Sequence, residues 1–99
     1  MNYYIKYIEY YLPEKIIDNK YLHEKAGIET DFLENKIGIN QRHIAGENES
    51  TSDMAVKAAS MLIENSRIDR ESIDLMILCT QNPDYKLPTT ACIVQYKLK

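Results

Sequence analysis

The sequence predicts an α/β fold. Three observations carry that reading: an aromatic and β-branched run over residues 3–12, an amphipathic helical pattern beginning at residue 50, and an unbroken apolar run over residues 74–80. Strand, helix, strand in that order implies a right-handed crossover into a parallel pair.

Composition sets the outer bounds. The 99 residues suffice for one small domain. Apolar residues make up 44% and charged residues 27%, ordinary globular usage, so a disordered chain is not expected. The formal net charge is -3 and no basic stripe is clustered, which argues against a nucleic-acid partner. No stretch of about 18 apolar residues is present to span a membrane. Residues 1–6 lack the basic segment, apolar core and small-residue cleavage site of a secretory signal. Cys79 and Cys92 stand apart from any Cys-x-x-Cys pattern, so a reducing cytoplasm is the expected location.

Residues 3–12 stop at Pro13 and read as a strand closed by a turn. Asp18 and Asn19 offer a helix cap before Tyr21, and Gly27 closes that short helix. Thr30 or Asp31 can cap a second short helix through Lys36, ended by Gly38. Residues 39–45 are expected to be extended, and residues 46–49 form a polar loop. Ser50, Thr51, Ser52 and Asp53 then start a longer helix: hydroxyls accept from free backbone N–H groups, and Asp53 favours the positive end of the dipole. Met54, Ala55, Ala58, Met61 and Leu62 mark its buried face.

A turn follows at residues 69–72. The run 74–80 reads as a strand buried on both faces, which parallel sheets require. Residues 81–86 form a loop. Pro88 suits the first helical position, where its missing N–H costs nothing. The helix over residues 89–98 is apolar on more than one side and is expected to lie inside a larger protein.

Few residues suggest chemistry. Cys79 falls in the apolar strand, and Cys92 lies past the first turn of its helix, where the dipole has faded; both are expected to pack as small hydrophobes. His23 and His43 lack metal-ligand spacing, so no metal site is expected. Phosphate-loop and dinucleotide fingerprints are absent. Phe32 and Lys36 stand four apart on the helix before Gly38 and share a face. Ring and cation together can hold a flat base or a phosphate-bearing ligand. Alternatively, Phe32 packs inward and Lys36 is solvated.

Several ordered segments resemble one family: YLPEK at 11–15, KIGINQRHIA at 36–45, SDMAVKAA at 52–59, IDLMILCT at 73–80 and LPTTACIVQ at 87–95. They are similar to the start of beta-ketoacyl-[acyl-carrier-protein] synthase III, a condensing enzyme of thiolase-like αβαβα layered fold. The resemblance implies that residues 1–99 are the N-terminal part of the first half-domain and stop before the catalytic cysteine, so that none of the catalytic residues lies here. It implies an acyltransferase of fatty acid biosynthesis, a cytoplasmic homodimer, with acyl-CoA and malonyl-acyl-carrier protein as substrates and no permanently bound cofactor.

The resemblance also assigns roles. Phe32 and Lys36 stand where the family usually has tryptophan and arginine clasping the adenine of coenzyme A. Phenylalanine stacks over less area and lysine lacks the planar guanidinium, which implies weaker binding or a primer on another carrier. Leu87 stands where many members have a phenylalanine reaching into the partner subunit's acyl pocket, which implies tolerance of longer or branched primers. Cys92 matches the family's structural Pro-x-x-Ala-Cys helix, so the piece alone is expected to be inactive. The rival readings are a divergent condensing enzyme of specialised lipid, polysaccharide or secondary metabolism, and a non-catalytic dimerisation module.

Overall fold

A computed structural model describes residues 1–99. The chain divides into two compact units, one formed by Leu12–Asn48 and one by Met1–Tyr11 with Glu49–Lys99.

In the first unit, β1 (Lys15–Asp18) pairs antiparallel with β2 (Gln41–Ile44), placing Ile16 opposite His43 and Ile17 opposite Arg42. Between them lies α1 (Asn19–Ala26). The Asp18 carboxylate caps it, accepting from the Tyr21 N–H at 2.8 Å, and Gly27 ends it at φ 65°, donating its N–H to the His23 carbonyl. Asn19 ties helix to ribbon. Its N–H donates to the Asn40 carbonyl, and its side-chain oxygen accepts from Arg42 Nη1 at 3.0 Å. His43 Nδ1 lies 2.6 Å from the Pro13 carbonyl. A carbonyl only accepts, so Nδ1 carries the proton.

Residues Phe32–Ile37 form a π-helix rather than the expected α-helix. The Gly38 N–H reaches back five residues to the Leu33 carbonyl at 2.9 Å. Asp31 does not cap the backbone; its Oδ1 accepts from Asn35 Nδ2 at 2.6 Å. Leu33, 2% exposed, is the buried apolar anchor of the unit.

In the second unit, Ser50 opens α2 (Thr51–Ser66) with a full capping box: its hydroxyl accepts from the Asp53 N–H, and Asp53 Oδ2 accepts from the Ser50 N–H. Asp69 caps a 3₁₀ turn over Arg70–Ser72. Helix α3 (Thr90–Lys97) packs on α2 and buries Thr90 and Val94. Thr89 occupies its cap position, so Pro88 precedes the helix instead of standing at its first residue.

The two longest apolar runs depart from expectation. Residues 3–12 and 74–80 form no ladder, and the parallel pair is absent; β1 and β2 make the only sheet, and it is antiparallel. A strand is defined by its neighbour's N–H and C=O groups, and β propensity alone cannot supply them. The run 74–80 is not buried on both faces: Leu75 is 74% and Ile77 84% exposed. Cys79 and Cys92 are both exposed rather than packed. Met61, assigned to the inner face of α2, is also exposed.

Candidate functional site

Two places carry the residues singled out by the sequence, one in each unit. In the Leu12–Asn48 unit, the π-helix presents Phe32 and Lys36 to solvent, with Phe32 44% exposed. The inward-packing alternative for Phe32 is therefore not what the fold adopts: Leu33 takes that role. The Lys36 ammonium does not stand over the Phe32 ring; the cation–π pairs formed are Lys6 with Tyr7, Lys57 with Tyr11 and Lys99 with Tyr96. Ring and cation are thus exposed on one short element without being satisfied by each other.

In the other unit, Leu87 lies on the loop before α3 and is 82% exposed. This loop is pinned to the start of α2. The Thr51 hydroxyl donates to the Asn82 carbonyl at 2.6 Å, and the Ser52 N–H donates to Asp84 Oδ1 at 2.9 Å. The Asp84 N–H in turn donates to the Thr90 hydroxyl at 3.3 Å. Lys97, one helix away, donates to the fully buried Ser52 hydroxyl and to Asp53 Oδ1, both at 2.7 Å.

Electrostatics follow this geometry. The Lys97 ammonium holds the Asp53 carboxyl well below the usual carboxylate range, helped by the N–H and hydroxyl of Ser50. Hydrogen bonding from Ser52 lowers Asp84 in the same sense, chiefly through its side chain. Both carboxylates are therefore ionised at neutral pH, at the positive end of α2. A groove of about 490 Å³ lies beside them, lined by Asp53, Asp84, Tyr85, Pro88, Ile93 and Lys97.

A second polar cluster joins Tyr11 to α2. Lys57 Nζ lies 2.6 Å from Glu49 Oε1 and 2.9 Å from the Tyr11 hydroxyl, which donates to the same Glu49 oxygen. Glu49, and secondarily Tyr11, raise the Lys57 pKa above its ordinary value. Sequence reasoning missed both clusters. Lys97 and Ser52 are 45 residues apart, and no local pattern announces their meeting. The Pro83-Asp84 pair before a helix was the one available hint, since aspartate favours turns that hydrogen-bond the backbone.

Cys92 is the third residue of α3, inside its first turn rather than past it as expected, and its sulfur accepts a hydrogen bond from the Thr89 hydroxyl at 3.2 Å. No group of His, Cys, Asp and Glu is arranged to hold a metal ion.

Similarity to known proteins decides the reading. No family model matches the chain. A curated relative from Ehrlichia canis, beta-ketoacyl-[acyl-carrier-protein] synthase III, is 44% identical over 88 residues, covering 89% of this chain and 28% of that protein. Another of that name from Sulfurovum is 43% identical over 89 residues, covering 89% of this chain and 26% of that one. This chain is similar to the N-terminal part of beta-ketoacyl-[acyl-carrier-protein] synthase III. The solved synthase III from Thermus thermophilus matches 91% of this chain and 28% of its own, with a TM-score of 0.81 and 31% identity. OleA of Xanthomonas campestris matches 92% of this chain and 29% of its own, with a TM-score of 0.78 and 28% identity. The fold is thus α/β, the N-terminal part of a thiolase-like layered fold. The chain spans about a quarter of the length of the curated synthase III relatives it matches.

Proposed function

We propose that this chain is the front portion of an acyltransferase of the beta-ketoacyl-[acyl-carrier-protein] synthase III type, acting in fatty acid biosynthesis. The enzyme transfers an acyl group from acyl-CoA to a cysteine outside residues 1–99. Malonyl-acyl-carrier protein then loses CO2, and the carbanion so formed attacks the thioester carbonyl. A carbon–carbon bond forms and the cysteine thiolate leaves. A cytoplasmic homodimer without a permanently bound cofactor is part of the proposal. The supporting observation is a similarity running through nine-tenths of the chain at 44% identity, matched by the backbone at a TM-score of 0.81.

Within this reading, Phe32 and Lys36 contact the nucleotide end of coenzyme A. Their exposure leaves a ring face and an ammonium available to an adenine and a phosphate. Leu87 contacts the acyl chain. The reading is tested with the full-length protein: acetyl-CoA or longer acyl-CoAs are supplied with malonyl-acyl-carrier protein, and the 3-ketoacyl product and CO2 are measured. No product with any acyl-CoA would end it. Phe32→Ala is expected to weaken coenzyme A binding by about twofold to fivefold, the range of an exposed stacking contact; an unchanged titration curve would remove Phe32 from the site.

Residues 1–99 alone are expected to be inactive. Incubated with acetyl-CoA, Cys92 should gain no acyl group by mass spectrometry; an acetylated Cys92, lost in Cys92→Ala, would overturn this. A second reading, a divergent condensing enzyme outside fatty acid biosynthesis, is favoured by Phe32 and Lys36, which stand where the resemblance implies tryptophan and arginine. Product with long-chain acyl-CoAs but none with acetyl-CoA would select it.

A further inference from the structure

The loop of residues 81–89 is joined to the helices on either side of it, and each bond has a distinct chemical origin. Ser52, fully buried at the start of α2, offers its N–H to the Asp84 carboxylate, while Thr51 holds the Asn82 carbonyl. At the far end, the buried Thr90 hydroxyl accepts the Asp84 N–H. Asp84 therefore engages α2 through its side chain and the first residue of α3 through its backbone. Leu87 lies three residues along, with nothing covering it.

We propose that Asp84 is a positioning residue for acyl-chain selection: by bridging Ser52 of α2 and Thr90 of α3, it fixes the loop that presents Leu87. The inference rests on the reading of Leu87 as an acyl contact. Its physical basis is charge and geometry. The helix N-terminus has unpaired N–H groups and a positive dipole end, and a carboxylate satisfies both where a neutral side chain satisfies one. Lys97 completes the arrangement by bonding Ser52 and Asp53, so the region around the Asp84 carboxylate holds a cation as well as a second anion. Burial of Ser52 and Thr90 removes competing water from two of the anchoring groups.

The test uses the full-length protein and two readouts. Amide hydrogen exchange at Ser52 and Asp84 reports the bridge. The ratio of kcat/KM for a long against a short acyl-CoA reports its consequence. Asp84→Ala should speed exchange at both amides and change the ratio by at least about threefold, a size typical of coupled neighbours. Asp84→Asn should fall between, because its oxygen still accepts from Ser52. The double variant Asp84→Ala with Leu87→Ala should select as Leu87→Ala alone does, since a pin has no effect once the side chain it aims is gone. If Asp84→Ala fails to fold, Asp84→Asn and Thr51→Val carry the same comparison. Unchanged exchange at Ser52 overturns the bridge. Faster exchange with an unchanged ratio, while Leu87→Ala shifts that ratio, leaves Asp84 structural only and overturns the proposal. Should Leu87→Ala itself leave the ratio unmoved, the acyl-contact reading of Leu87 fails first, and the selection role falls with it.

Discussion

Gly38 ends the π-helix at φ 72°, a left-handed conformation that a Cβ disfavours, yet a Cβ added there would meet no atom within 4 Å. The cost of Gly38→Ala is therefore backbone strain without crowding, about 1–2 kcal/mol. Denaturant unfolding of the full-length protein should show that loss as a lower midpoint with an unchanged slope. Arg67 already sits at φ 55°, where it ends α2, so left-handed closure is used here even without glycine. Single-residue signals of this kind were legible in the sequence: Asp18, Gly27, Gly38 and Ser50 each do what their position implied. Pairings such as Lys97 with Ser52 were not, because hydrogen bonds across tens of residues depend on how helices pack and leave no periodic trace. The two residues proposed to contact coenzyme A lay between these cases. Spacing put Phe32 and Lys36 on one element, but only the structure revealed that Leu33, not Phe32, turns inward.

At the scale of elements, α2 depends on charge at its first turn, and the consequence is a defined pH response. Asp53 and Asp84 have folded pKa values below the ordinary carboxylate value. The stability they contribute is fully present above an unfolded pKa of about 4 and is lost as pH falls toward the lower folded values. Lys57 runs the other way. Its raised pKa gives a contribution present below about 10.4 and lost as pH climbs through the folded value. Circular dichroism of the full-length protein against pH should therefore show an acid limb beginning below about pH 4, flattened in Asp53→Asn and Asp84→Asn. An acid limb identical in both variants would remove these carboxylates from the explanation. The Lys97–Asp53 and Lys57–Glu49 pairs are partly open to water, so added salt should shrink the effect. Helix starts were readable because caps are local. The π-helix was not, because one extra residue per turn alters the backbone bonds without altering the apolar pattern.

For the whole chain, the informative quantity is exposed area. Ile5, Ile8, Leu75 and Ile77 are all open to solvent, while the buried apolar side chains are Leu33 in one unit and Val94 in the other. Residues 3–12 and 74–80 carry strand propensity but form no strand, because a ladder needs hydrogen-bonded neighbours that no sequence window can provide. If these segments are inner strands of a thiolase-like half-domain, their side chains and backbone groups both need further polypeptide. Isolated residues 1–99 should then bind a hydrophobic dye, sediment as associated species, and show no sharp calorimetric transition, whereas the full-length protein should melt cooperatively. Buried area drives cooperativity, so a chain with two anchors and this much open apolar surface has little to lose in any single step. A monomeric 99-residue species with one sharp transition would mean that these apolar runs find their partners within the chain, and the half-domain proposal would have to be given up.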